Sequence, residues 1–490
     1  MTTVETTVRE VQHFINGNYE ASSDQQTFKV KNPATQEVIA VVAEATEQDV
    51  AKVCAAAREA FENGPWRTMT VAERCAKIRR MADIILERKE EIARLEALDV
   101  GKPYSHAFAA EVPRAAHNLK FFADFVEQQG GETYPMEDAY INYTRHEPVG
   151  VAGLITPWNA PFMLTTWKLG PCLAAGNTAI IKPAEMTPLS VSLLGEIAKQ
   201  AGIPDGVVNI VHGKGSVVGT AITKNTDVDL ISFTGSTATG KAIMHNGADT
   251  LKKFAFELGG KAANIIFEDA DLDKAIPVSI QAAFLNSGQV CLAGSRILVQ
   301  RSILDTFIEK YKAAAEALVV GDPQAAETKM GPLVSEEHFN KVKSYLEIAK
   351  EEGATLITGG GTPELASHLK EGYYLQPTVY LHEDPKARIC QEEIFGPIVT
   401  IIPFDTEEEA LRIANDTDYG LNGVIWTENL KRAHRISHGV RAGTIWVNCW
   451  FVRDLRAPFG GFKKSGIGRE GGQHSLDFFT EAKNICIALN

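Results

Sequence analysis

The run Val149-Gly150-Val151-Ala152-Gly153-Leu154-Ile155, continuing into Thr156-Pro157-Trp158-Asn159-Ala160-Pro161, decides the fold class. Its first half is unbroken apolar sequence. A strand with one wet face alternates in polarity, whereas a strand of a parallel sheet, covered on both faces, does not. Four similar runs follow: Thr178–Ile181, Val207–Val211, Leu230–Phe233 and Phe254–Phe256. Segments with helical spacing separate them, at 163–175, 189–201, 215–224 and 238–248. Strand and helix alternating at this length predict a doubly wound α/β sheet with a ligand crevice at the strand carboxyl ends.

Upstream, residues 11–45 alternate short apolar runs with turns such as Asn16-Gly17-Asn18, a pattern of small antiparallel strands. Thr46-Glu47-Gln48-Asp49 reads as a helix start, with Val50, Val53, Cys54, Ala57 and Phe61 at helical spacing behind it. The spacing predicts a long helix over 70–97 and another over 107–129 that carries Arg114. Tyr140–Glu147 is a strand-like ribbon, either a surface hairpin or a projection toward a partner subunit. Downstream, strand-like segments at 263–267, 296–300 and 445–448 alternate with helices near 272–287, 302–317, 336–352 and 406–416. Gly460–Gly468 reads as a Gly-rich loop, and Lys483–Leu489 as a last strand whose bare edge needs a partner.

A chain of 490 residues is too long for one ordinary core and predicts two or three domains. The formal net charge of −13 argues against nonspecific binding to nucleic acid or to an anionic membrane. No apolar run approaches the ~20 residues of a membrane helix. The opening Met1-Thr2-Thr3-Val4-Glu5 has neither the basic nor the apolar part of a secretion signal. Seven scattered cysteines without CxxC or zinc spacing read as reduced thiols of a cytoplasmic protein, with no metal site.

Chemistry concentrates where the strands end. Asn286-Ser287-Gly288-Gln289-Val290-Cys291 sets one thiol among small residues; Cys291 is either a nucleophile or an inert buried thiol. Phe256-Glu257-Leu258-Gly259-Gly260-Lys261 ends an apolar run with a carboxylate placed like a general base. Asn159, between two prolines, offers an amide to an oxyanion or merely forms a turn. Phe233-Thr234-Gly235-Ser236 leads from strand to helix and presents N–H groups to a phosphate, although it is not GxGxxG. Lys182-Pro183-Ala184-Glu185 places a cation and an acid at a strand end, where they are either a solvated surface pair or hold ribose hydroxyls; in the second case the acid favours NAD. Glu392-Glu393-Ile394-Phe395 offers an acid for a second ribose and a ring for a nicotinamide, or is only a helix or loop terminus.

Together with Pro458–Gly471, these motifs resemble the aldehyde dehydrogenase superfamily, in order and across nearly the whole chain. The resemblance implies an α/β fold with a Rossmann-type NAD-binding domain (1–125 and 148–258), an α/β catalytic domain (259–459) and a small β oligomerisation element (126–147 and 460–490). It implies Cys291 as nucleophile, Glu257 as base and Asn159 as oxyanion amide. Thr156, Trp158, Lys182, Glu185, Gly235, Ser236, Leu258, Glu393 and Phe395 are expected around NAD, and the protein is expected to be a homodimer or homotetramer. Val112–Asn118 and Asn448–Arg456 are similar to the muconic semialdehyde dehydrogenases of aromatic ring cleavage. That likeness implies a small aldehyde substrate bearing a carboxylate, held by Arg114 and Arg453, with Arg456 a competitor for the second role. Read from the residues alone, the arginines instead pair with Glu111 and Asp454. A broad or betaine-type aldehyde dehydrogenase and a non-catalytic nucleotide-binding relative are the rival readings.

Overall fold

The computed structural model describes residues 8–489, so the opening Met1–Glu5 lies outside the described residues. Five parallel strands form the middle of an eight-stranded sheet, in the order Lys253–Glu257, Leu230–Thr234, Val151–Ile155, Thr178–Lys182 and Val208–Ile210. Every residue of Val151–Ile155 and of Thr178–Lys182 is buried, as the unbroken apolar runs require. The chain adds strands on one side of Val151–Ile155 and then resumes on the other. The crevice at that reversal gathers the carboxyl ends that carry Asn159, Lys182, Thr234 and Glu257. A seven-stranded sheet follows, parallel except for its edge strand Thr355–Thr358. Two of its central strands, Ile398–Phe404 and Asn422–Trp426, are entirely buried.

Several expectations need correction. The helix predicted over 70–97 is two, Val71–Glu87 and Lys89–Asp99. Arg88 ends the first through its own N–H, while its guanidinium binds Glu91 and Glu196. The 107–129 segment starts as a π-turn, Ala107–Glu111, before the α-helix Val112–Glu127. Pro113 explains the widening, because it lacks an N–H and its ring crowds the carbonyl four residues back. The helix predicted over 272–287 stops at Phe284. Of the small N-terminal strands, Arg9–Val11 pairs in parallel, with Val38–Ala43.

The tail reads as a strand whose bare edge needs a partner, and the ribbon as a surface hairpin or a projection toward a partner subunit. They pair with each other within one chain, antiparallel, from Thr480 opposite Pro148 to Ala488 opposite Tyr140. The span 460–490 is not one unit. Gly466–Ile467 extends the eight-stranded sheet beside Phe256 and Glu257. Helix Gly472–Phe479 packs on helices Val112–Glu127 and Pro161–Ala174, so only Thr480–Ala488 joins the three-stranded sheet. Among the described residues no helix is long and apolar enough to cross a membrane.

Buried Asn177 ties these parts together. Its side chain accepts from the Gly150 N–H at 2.8 Å and donates to the Phe479 carbonyl at 2.8 Å. Asn177→Ala should strip the Gly150 donor of its acceptor and destabilise the fold by about 2 kcal/mol, the cost of an unsatisfied buried group. Urea unfolding checks this, and a midpoint equal to the parent's would contradict it.

Candidate active site

Cys291 sits on a strained connection. After helix Leu272–Phe284 the chain takes left-handed φ at Asn286 (51°), Ser287 (57°) and Gly288 (74°). Two consecutive non-glycine residues in that region are costly and persist only when their surroundings hold them. Here the Asn286 amide donates to the Asn159 carbonyl (2.9 Å) and the Ser287 hydroxyl to the Gly331 carbonyl (2.8 Å). In return the Asn159 amide donates to the Gln289 carbonyl at 2.9 Å. The loop that follows the first sheet strand and the loop that carries the thiol are thus tied reciprocally.

Glu257 is the last residue of its strand, opposite Thr234. Of the next two glycines, Gly260 is required by nearby backbone, and Gly259 leaves room for a side chain. A Cβ on Gly259 would run into the Glu393 carboxylate, and one on Gly260 would come within 2.7 Å of the Cys291 carbonyl. The Gly260 N–H also donates to Glu393 at 2.9 Å.

Glu257, Cys291 and Asn159 line one cavity of about 370 Å³, with Met163, Leu164, Trp167, Trp450 and Phe459 among its apolar walls. Burial pushes the Cys291 thiol up to about 12, with the charges of Glu393 and Glu257 adding to it. Burial also raises the Glu257 carboxyl well above the usual carboxylate range, helped by the charge of Glu470. Glu470 is itself held by the Lys168 ammonium (2.8 Å) and the Trp167 indole N–H (2.6 Å).

Arg114 and Arg453 line the same cavity. Arg453 lies over the Phe459 ring at 3.9 Å and the Trp167 ring at 4.8 Å, and its Nη2 has no hydrogen-bond partner. Burial and the charge of Arg114 lower Arg453 to about 10. Arg114 donates through Nε to Asn118 at 3.1 Å, and Asn118 donates in turn to the Met163 carbonyl at 3.1 Å. The acids expected to neutralise these arginines are taken elsewhere. Glu111 pairs with Lys102, and Asp454 with Arg456 at 2.6 Å. Arg456 is exposed and does not line the cavity.

The remaining expected residues stand outside this cavity. Lys182 and Glu185 pair at 2.9 Å, with Lys182 buried and Glu185 partly open. Ser236 caps helix Thr237–Gly247 by accepting from the Thr239 N–H, and Gly235 precedes it. The ring of Phe395 meets Trp158 edge-on at 5.2 Å. Thr156 accepts from the Thr165 hydroxyl at 3.1 Å, and the Leu258 N–H donates to the Ser465 carbonyl. Lys168 and Trp167 carried no signal in the sequence, because each meets Glu470 about three hundred residues away; Asn118 and Glu470 lie in quoted motifs, but without a role assigned to them.

Residues 19–485 match the model of the aldehyde dehydrogenase family. The chain belongs to this family. It is 49% identical over 487 residues to the 2-hydroxymuconic semialdehyde dehydrogenase of Pseudomonas sp. (strain CF600), covering 98% of this chain and 100% of that one. It is 43% identical to the human mitochondrial aldehyde dehydrogenase, covering 98% and 92%. The solved structure of the NAD+ complex of an aldehyde dehydrogenase from Bacillus cereus superposes with a TM-score of 0.95 at 45% identity, over 98% and 97% of the two chains. This aldehyde dehydrogenase is an NAD-dependent oxidoreductase acting on a small-molecule aldehyde. Its residues fit NAD. The open first turn of helix Thr237–Gly247 suits a pyrophosphate, and the Lys182–Glu185 pair offers a donor and an acceptor to a ribose.

Cys291 alkylation by iodoacetamide, followed on its own peptide by mass spectrometry, should keep rising with pH beyond 9 in the cofactor-free protein. A plateau near pH 7–8 would contradict the raised thiol.

Proposed function

We propose that this enzyme oxidises a carboxylate-bearing unsaturated aldehyde, 2-hydroxymuconate 6-semialdehyde or a near analogue, to the dicarboxylate. One observation carries the reading: two arginines without acidic partners face the cavity that holds Cys291 and Glu257. A planar guanidinium binds a carboxylate through two parallel hydrogen bonds. The likeness to 2-hydroxymuconic semialdehyde dehydrogenases from two Pseudomonas sources, at 49% and 46% identity, supports the same substrate class. A betaine-type aldehyde would bring a cation against both arginines, which disfavours that rival.

In this reading the Cys291 thiol, raised by burial, gives its proton to solvent before it attacks, which leaves Glu257 free for the later hydrolysis. The thiolate attacks the aldehyde carbon. The oxyanion so formed accepts a hydrogen bond from the Asn159 amide N–H that does not point to Gln289. When bound, NAD accepts the hydride that leaves this adduct. Glu257 then removes a proton from the water that hydrolyses the Cys291 thioester. Around the cofactor we assign Lys182 and Glu185 to one ribose, Glu393 to the other, and Gly235 and Ser236 to the pyrophosphate, with Thr156, Trp158, Leu258 and Phe395 alongside. A cytoplasmic home fits the seven free cysteines.

We also propose a homodimer or homotetramer built on the three-stranded sheet. Its outer strand Thr480–Ala488 has an open edge, and Tyr140, Ile141 and Ile487 are exposed on it. Light scattering that finds a stable monomer at micromolar concentration would sink this.

The substrate assignment has a direct test. Arg453→Ala should lower kcat/KM for the semialdehyde by tens- to thousands-fold, the ~2–5 kcal/mol of a lost buried charge partner. A short uncharged aldehyde should hardly notice. Equal losses on both substrates would make the arginine structural. For the chemistry, Glu257→Gln should release one burst of NADH and then stall, while undiminished steady turnover would remove Glu257 as base.

A further inference from the structure

Glu111 and Arg114 are three residues apart, at the spacing that brings side chains together on a helix, and both line the cavity. Left to itself this acid would neutralise the arginine. It does not, because its carboxylate is bound by the ammonium of Lys102, whose side chain is 0% exposed. Lys102 is anchored from the other side by Glu96 at 2.9 Å. Glu96 in turn accepts from the Ser190 hydroxyl and from the Phe162 N–H. The imidazole Nε2 of His106 stands 3.5 Å from Glu111 on the cavity side.

We propose that Lys102 is a positioning residue for substrate choice: by claiming Glu111 it keeps Arg114 un-neutralised and open to the substrate carboxylate. The proposal rests on the reading of Arg114 as part of the carboxylate site. The charges around these groups agree with it. Burial raises Glu96, against the pull of the Lys102 charge. Burial works against ionisation of Glu111 as well, yet the Lys102 charge and the neighbouring His106 imidazole together outweigh it and hold that carboxyl down to about 2. Arg114 is lowered by burial, with no acid acting on it. Removing the ammonium would free a carboxylate one turn from Arg114.

The test uses the full-length enzyme with NAD and two aldehydes of equal carbon count, glutarate semialdehyde and uncharged pentanal. Lys102→Met should raise KM for the semialdehyde at least about tenfold, the ratio set by ~1.4 kcal/mol, with KM for pentanal unchanged. Lys102→Met combined with Glu111→Gln should restore the preference for the carboxylate, because the competitor is gone. Should Lys102→Met alone fail to fold, the double variant decides, since it removes both charges of the pair together. A double variant that lacks the preference overturns the proposal. So does a folded Lys102→Met enzyme that keeps the parental preference or loses both substrates equally. Arg114→Ala separates the two levels. If it abolishes the preference while Lys102→Met does not, only the role of Lys102 falls. If it leaves the preference intact, the carboxylate reading of Arg114 falls, and this proposal with it.

Discussion

Two guanidinium groups share one largely apolar cavity, and among the described residues neither is in an ion pair. Like charges in such a place are costly, and they stay only where the protein braces them. The braces converge on the helix Pro161–Ala174, which starts right after Asn159. Its Trp167 lies under Arg453. Its Met163 carbonyl and Thr166 hydroxyl accept from Asn118, which holds Arg114. Its Lys168 binds Glu470, the acid whose charge acts on Glu257. Its first turn also anchors Glu96 through the Phe162 N–H. One helix thereby braces both arginines and sets the surroundings of Glu257.

The thiol side depends on a different constraint. The left-handed turn at Asn286 and Ser287 delivers Cys291 to the cavity, and the exchange of hydrogen bonds with Asn159 holds it there. Gly259 and Gly260 leave room for Glu393 and for the Cys291 backbone. Strain in one loop is therefore supported by the loop after the first sheet strand, so the two motifs are parts of one device.

Much of this was legible in the amino-acid order. The unbroken apolar runs announced the parallel strands, and chemistry at their carboxyl ends announced Glu257, Lys182 and Asn159. The break at Arg88 was hidden, because no Pro or Gly marks it. Ile398–Phe404 and Asn422–Trp426 were missed because Pro403, Asn422 and Gly423 are poor strand residues locally; burial on both faces overrides that preference. The local reading of the arginines paired each with the nearest acid in the chain. The structure gives those acids to Lys102 and Arg456, and nothing in the spacing of Lys102 and Glu111 announces such a bond. A contact between elements brought together only by folding leaves no periodic trace.

The central claim is that the cavity selects an anionic aldehyde. The most direct measurement compares kcat/KM of the unmodified enzyme for a semialdehyde and for the methyl ester of that same semialdehyde, at one ionic strength. The account predicts a preference for the free carboxylate of about a hundredfold, ~2.7 kcal/mol at the affinity scale of tenfold per 1.4 kcal/mol. Equal values for acid and ester would contradict it.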